Sequence, residues 1–222
     1  MTAGGSVLGI DTSGRIGSVA LLSDSPREER FEEGMIHGVA VAPAVERLLA
    51  DAGLGASDLD LVAVGLGPGS YTGVRVGVAF AKTLALAAGV PVVGVPSFDA
   101  VAANAPADRV TAVVRNARRG AFYLAVYDEG PVPRADVDLV PWEEARDRLP
   151  ADALVLGDAA ETHADFLSGD GREFGGRDDG EAWALTVARL GADRPQDDVH
   201  GLSPIYLRMP LAEEQRREKD GV

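Results

Sequence analysis

The stretch Gly67-Pro68-Gly69-Ser70-Tyr71-Thr72-Gly73-Val74-Arg75-Val76-Gly77 joins an apolar run to a long Ala-rich segment through a turn dense in glycine. The run before it, Leu61-Val62-Ala63-Val64-Gly65-Leu66, reads as a buried strand. Gly67 to Ser70 supply a turn with Pro between two glycines, and the segment from Thr72 to Ala88 reads as a helix. Free amide groups and the helix dipole converge at such a corner, so it can cradle an anion. The spacing matches neither the Walker pattern nor the dinucleotide fingerprint. Two readings stay open: a phosphate site, and a tight strand-to-helix corner with no ligand.

Gly73, Gly77, Ala81 and Ala85 recur every four residues along this helix and form one narrow stripe of small side chains. Such a stripe lets another backbone come close. It fits packing on the chain's own sheet or a neighbouring helix, and it also fits a contact with a second subunit. Arg75 lies in the first turn, where the helix dipole disfavours a cation, which predicts an acidic or anionic partner for it.

Working outward, Val7-Leu8-Gly9-Ile10-Asp11-Thr12 reads as a strand, a turn follows at Ser13-Gly14-Arg15, and Ser18 to Leu22 returns as a second strand. A third strand is expected over Glu29 to Glu32. Val41, Val45, Leu48, Leu49 and Ala52 fall at helical spacing and predict a helix from His37 to Ala52, stopped by Gly53. Pro91 to Val95 reads as a strand, with Ser97 as N-cap of a short Ala-rich helix. Three strands followed by helix, strand, helix, strand and helix give an α/β layout with a mixed sheet. A composition shift near Asn104-Ala105-Pro106-Ala107-Asp108 divides the chain into residues 1–105 and 106–222. The second part opens with strands over Val110 to Arg115 and Ala121 to Tyr127 around Asn116-Ala117-Arg118-Arg119-Gly120. Helices are expected at Trp142 to Leu149 and Glu181 to Leu190, a strand at Ala153 to Leu156, and a Gly- and Asp-rich loop from Gly169 to Gly180. This part reads as small and irregular, and the charged tail after Pro210 as frayed.

A chain of 222 residues buries roughly 70 % of its unfolded surface, enough for a core without staples. It has no cysteine, which excludes disulfides, thiol catalysis and thiolate metal sites and suits a reducing cytoplasm. No apolar stretch has membrane-spanning length, and the first residues lack the pattern of a signal peptide, so a cytoplasmic protein is expected. The formal charge of −14 is unevenly spread: residues 128–198 hold 19 acids against 7 arginines, residues 1–127 only 12 against 10 basic residues. That balance opposes nucleic-acid binding by the chain alone, because affinity for phosphate backbones rests on Lys and Arg.

Asp11 after an apolar strand suits a magnesium ligand or a water-positioning acid, and the alternative is an acid that caps its own turn. His37, His163 and His200 are far apart and none pairs at helical spacing with a His or Glu, so no metal site is expected. No Gly-x-Ser-x-Gly elbow occurs. Arg115, Arg118 and Arg119 form a basic cluster that suits a nucleotide, RNA, an acidic partner surface or a solvated hairpin turn. Asp170, Asp178 and Asp179 lack the ligand spacing of a calcium loop.

Ile10-Asp11-Thr12-Ser13, Ser18-Val19-Ala20, the glycine-turn motif, Val95-Pro96-Ser97, Ala117-Arg118-Arg119-Gly120 with Tyr123, and Pro204-Ile205-Tyr206-Leu207-Arg208 together resemble the TsaB (YeaZ) family over most of the chain. The resemblance implies a two-lobed actin-like (ribonuclease H-like) fold with mixed sheets flanked by helices and a reduced second lobe. It implies a scaffold without catalytic residues that pairs with TsaD and with the ATPase TsaE. Together they place a threonylcarbamoyl group on the adenosine next to the anticodon of transfer RNA, which this chain meets only through the complex. No membrane is involved. It implies no tightly held cofactor on the chain alone, with ATP or ADP in the complex, and a vestigial nucleotide site at Asp11, Thr12, Ser13, Gly67, Gly69 and Ser70. The TsaD-facing surface, which also serves a homodimer, is implied on the first two helices: His37, Val41, Val45 and Leu48, then Thr72, Gly73, Val74, Gly77, Ala81 and Ala85. Two departures stand out, Gly38-Val39-Ala40-Val41-Ala42 before Pro43, and Asn116 where the family has Asp. The rival reading is an ATPase or small-molecule kinase of the same fold using Asp11 and the glycine turn.

Overall fold

The computed structural model describes residues 5–31, 37–128, 130–169, 171–176 and 179–208. Five strands build the first sheet: β1 (Val7–Asp11), β2 (Ser18–Leu22), β3 (Arg27–Arg30), β4 (Leu61–Gly65) and β5 (Val92–Val95). Their order is β3-β2-β1-β4-β5, with β1, β2 and β3 antiparallel and β1, β4 and β5 parallel. The parallel strands are buried throughout, which is why they read as unbroken apolar runs. Strand parity sorts the core: Leu8, Ile10, Val62 and Val64 face α1 (His37–Ala52) and α2 (Tyr71–Ala88), whereas Val7, Ala63 and Val93 face the opposite side. Asp11 shares parity with Val7 and so points away from α1 and α2, toward the second half of the chain. Ser70 caps α2 by accepting from the Gly73 amide at 3.2 Å, and Gly89 closes it at φ 70°.

After α3 (Ser97–Ala103) a second sheet forms from β6 (Thr111–Asn116), β7 (Ala121–Tyr127), β8 (Asp138–Pro141), β9 (Leu154–Leu156) and β10 (Glu173–Phe174). Read from β8, its order is β8-β7-β6-β9-β10, antiparallel through β8, β7 and β6 and parallel through β6, β9 and β10. This repeats the connectivity of the first sheet strand for strand. The second half is therefore not irregular, as its sequence suggests; β9 lies within the strand expected at Ala153 to Leu156, and β10, two residues long, is below the length at which periodicity speaks. The helices α4 (Trp142–Arg148), α5 (Asp158–Thr162) and α6 (Ala164–Leu167) cover its far face, packing around Phe122, Val140 and Val155.

The last helix, α7 (Ala184–Ala192), crosses back onto the first sheet, opposite α1 and α2. Gly9 and Gly191 make that approach possible: a Cβ at Gly9 would stand 2.1 Å from the Ala184 carbonyl oxygen, and one at Gly191 2.6 Å from the Ala63 methyl. The chain then runs along β5 and α2, with Asp197 Oδ2 accepting from the Gly94 amide at 2.8 Å and Lys82 Nζ donating to the Leu202 carbonyl at 2.7 Å.

Three boundaries differ from the sequence reading. The third strand is Arg27–Arg30, set by a short hairpin that pairs Leu21 with Arg27, and the Glu32 end of the expected strand lies outside the described residues. Helix α7 starts at Ala184, because Glu181 is drawn into a buried ion-pair network. Ser97 is the first residue of α3, with Pro96 as N-cap, and its hydroxyl serves Asp11 instead. Among the described residues no helix is long and apolar enough to cross a membrane. The tail after Pro210 lies outside the described residues.

The glycine contacts separate two substitutions. Gly9→Ala is expected to lower stability by about 1–3 kcal/mol through overpacking against α7, whereas Gly38→Ala, whose nearest neighbours are Val76 methyls at 3.7 and 3.9 Å, should gain about 0.5–1 kcal/mol of helix propensity. Urea unfolding of both variants measures the difference in sign.

Candidate functional site

Asp11 ends β1 inside the protein, and both carboxylate oxygens are used there. Oδ1 accepts from the Ser13 amide and the Ser13 hydroxyl, each at 2.8 Å, so the acid closes its own turn. Oδ2 accepts from the Ser97 hydroxyl at 2.7 Å, and the Ser97 oxygen accepts from the Gly67 amide at 3.0 Å. Burial holds the Asp11 carboxyl above the usual carboxylate range, opposed by the Arg115 charge and by the Ser97 and Ser13 hydrogen bonds.

The glycine turn lies directly against this loop. The Ser70 amide donates to the Ser13 carbonyl at 2.8 Å, and the Ser97 amide to the Gly67 carbonyl at 2.9 Å. A Cβ at Gly69 would stand 2.3 Å from the Ser13 carbonyl oxygen, which explains the residue type there. Thr12 completes the contact by donating its hydroxyl to the Gly73 carbonyl at 2.7 Å. All six residues of the expected nucleotide site thus meet. The Gly67 and Ser70 amides, which an anion would need, already donate to Ser97 and Ser13.

The second lobe reaches the same loop. Arg115 on β6 is 4 % exposed and donates to the Ser13 hydroxyl at 2.9 Å and to the Gly180 carbonyl at 3.1 Å. Glu181 lies 3.9 Å from Arg115 and 3.8 Å from Arg15. Burial pushes its carboxyl up, with both guanidiniums pulling it back. The expected basic cluster is therefore split. Arg115 shares strand parity with Val113 and faces the junction, whereas Arg118 and Arg119 are exposed at the hairpin turn. That parity was the available signal for Arg115; Glu181, in a polar loop, offered none. Among the described residues no group of three or more His, Cys, Asp or Glu could hold a metal ion.

The expected partner stripe turns inward. Gly73, Gly77, Ala81 and Ala85 are buried against the chain's own sheet, and a Cβ at Gly77 would stand 2.4 Å from the Thr12 hydroxyl. Val41, Val45, Leu48 and Val74 lie in the same core. The physical reason is general: small and apolar residues at helical spacing mark the face a helix buries at home. Thr72 is exposed, and the side chain of His37 lies outside what the structure describes. The outward surfaces of these helices include instead the apolar Val39, Ala42 and Pro43 and the charged Glu46 and Arg47 on α1, and Thr72, Arg75, Ala79, Thr83 and Leu86 on α2, with Val39 70 % and Leu86 54 % exposed. Val76 and Phe80 are half-buried beside them. Arg75 finds no acid in its described contacts: it donates to the Tyr71 hydroxyl at 3.1 Å and lies over that ring.

The chain is 34 % identical over 219 residues to the tRNA threonylcarbamoyladenosine biosynthesis protein TsaB of Bacillus subtilis, covering 93 % of this chain and 96 % of that one. The chain belongs to the TsaB family. TsaB of Escherichia coli is 38 % identical over 126 residues, 54 % of each chain. The family model of TsaD, tRNA N6-adenosine threonylcarbamoyltransferase, matches residues 35–137, from α1 through β7. The fold is that of YeaZ from Pseudomonas aeruginosa, with a TM-score of 0.79 at 24 % identity, covering 91 % of this chain and 100 % of that one. Asp11, Gly67, Ser70 and Ser97, which lie within the segments that carry the resemblance in the sequence, close the buried network.

Ser97→Ala orphans the Asp11 carboxylate on one side and the Gly67 amide on the other, at about 1–3 kcal/mol for each buried group; chemical denaturation should show a loss within the sum of the two. The raised Asp11 value sets the sign of a second prediction. A carboxyl whose folded pKa lies above its unfolded 3.8 favours folding fully below that value, and the contribution is lost as pH rises through the folded one. The deficit of Asp11→Asn relative to the parent is therefore largest below pH 3.8 and shrinks as pH rises above it, as measured by denaturation at a series of pH values.

Proposed function

We propose that this chain is the non-catalytic partner subunit of tRNA threonylcarbamoyladenosine formation, which binds TsaD through α1 and α2 and activates it. The Bacillus relative carries the name of that pathway, and the match of the TsaD family model to α1 through β7 means that the chain is built like its partner in the pairing segment. The observation that carries the reading is the exposure of apolar side chains on α1 and α2. Val39, Ala42, Pro43, Ala79 and Leu86 are exposed apolar residues on two helices that approach each other at Gly38 and Val76. Apolar side chains exposed in this way on an otherwise charged surface mark protein contacts. The same surface serves a homodimer when TsaD is absent. TsaE, and ATP or ADP, enter with the complex.

Asp11 supports the non-catalytic part of the reading. Its oxygens are held by Ser13 and Ser97, and Arg115 and Glu181 fill the junction in front of it, so the acid acts as a structural tie. The runner-up, an ATPase or small-molecule kinase of this fold, would need that junction to open and Asp11 to exchange its partners.

Reconstitution with purified TsaD, threonylcarbamoyl-adenylate and transfer RNA tests the proposal. Adding the chain should raise the modification rate well above that of TsaD alone. Ala79→Arg, which changes an exposed position, should weaken association at least tenfold, about 1.4 kcal/mol, without moving the melting temperature. Equal activity of TsaD with and without the chain, or ATP hydrolysis by the chain alone, would return the enzyme reading to first place.

A further inference from the structure

The β6–β7 hairpin turn carries residues that the α1 and α2 surface does not use. Arg118 and Arg119 both stand in the left-handed region, at φ 62° and 49°, followed by Gly120 at φ 73°. Left-handed positions in hairpin turns favour Asn and Gly because other side chains are strained there. Here two arginines occupy it, and other groups hold them. Asn116 Oδ1 accepts from the Arg118 amide at 2.7 Å. The Arg208 guanidinium, arriving from the segment after α7, donates to the Ala117 carbonyl at 2.7 Å and the Arg118 carbonyl at 2.9 Å. Strain maintained by dedicated contacts on an exposed turn points to a use for the side chains it displays.

The same Arg208 borders a shallow cavity of about 30 Å³ lined also by Gly69, Tyr71, Tyr123 and Tyr206. Tyr71 and Tyr206 are 42 % and 48 % exposed, with ring centroids 5.4 Å apart at 40°. Arg75 lies over the Tyr71 ring, 5.2 Å from its centroid. On a chain with formal charge −14, Arg75 and Arg208 thus stand beside two half-exposed tyrosines, and Arg208 ties that site to the turn that carries Arg118 and Arg119.

We propose that this face is a contact platform for unpaired RNA, with bases stacking on Tyr71 and Tyr206 and phosphates meeting Arg75, Arg118 and Arg119. The inference rests on the reading above, since it assigns this chain its own share of the RNA that the complex modifies. Aromatic rings beside arginines are how sequence-tolerant single-strand surfaces are built. A cavity of about 30 Å³ holds a water and not a base, so the face is a stacking surface and not a mononucleotide pocket. The acidity of residues 128–198 repels RNA elsewhere, which keeps the contact weak without TsaD.

Fluorescence anisotropy of the chain's complex with TsaD, titrated into a fluorescein-labelled RNA stem-loop with an unpaired loop, tests this. Tyr206→Ala should weaken binding roughly tenfold, as expected for one lost stacked base, and Tyr206→Phe should bind as the parent does. Arg118→Gly relieves the left-handed strain, so its melting temperature should hold or rise. It should nevertheless weaken RNA binding and lower the slope of log affinity against log salt by about one. Parent-like binding by Tyr206→Ala and Arg118→Gly overturns the platform. So does displacement of the RNA by ATP with the same variant dependence, or loss of TsaD association in these variants with RNA affinity kept. If the parent chain does not associate with TsaD, the functional reading fails by itself. The titration of the chain alone at low salt then decides the platform by the same variants.

Discussion

The structure depends on one buried carboxylate and the groups that converge on it. Asp11 ends the central strand of the first sheet and binds its own turn through Ser13, the start of α3 through Ser97 and, by way of Ser13, the second sheet through Arg115. Placing a carboxylate in the interior costs several kcal/mol unless its lone pairs are filled. Here three hydrogen bonds fill them, and the Arg115 charge offsets part of the cost from behind Ser13. The same contacts draw the glycine turn against Ser13 and so fix where α2 begins. Strand, turn, helix and second lobe are thus positioned by one acid, and removing any single donor leaves a buried group without its partner.

Around that tie, close backbone approach decides which residues can stand where. Helix α7 lies on the first sheet because Gly9 and Gly191 leave room for it, and α2 sits over β1 because Gly77 leaves room for Thr12. The stripe of small residues on α2 is consumed by this packing. What remains for a partner is the outer surface of α1 and α2, with Val39 and Leu86 more than half exposed.

Much of this was legible in the sequence, for identifiable reasons. The first sheet and α1 to α3 follow from apolar runs and helical spacing of ordinary length, and the ends of α1 were legible from Val41 to Ala52 and Gly53. Asp11, Thr12, Ser13 and the glycine turn were singled out together, and the structure brings them together. The helix faces were not legible, because periodicity shows which residues share a face and not whether that face meets a sheet or a partner. Ser97 was concealed by doing a job other than the capping its position suggests. Arg115 was hidden among neighbouring arginines, and only strand parity separates it from Arg118 and Arg119. Strand β9 was legible at Ala153 to Leu156, whereas the two-residue β10 and the packing of α7 on the first sheet rest on long-range contacts that no local pattern announces.

The central claim is that function lies at an interface with TsaD. Its most direct measurement is the mass, by light scattering after size-exclusion chromatography, of the purified chain mixed with TsaD from the same organism. The account predicts a single species with the summed mass of one copy of each, or a multiple of that pair. Well-folded proteins that elute separately with their individual masses, with and without ATP and TsaE, would contradict it.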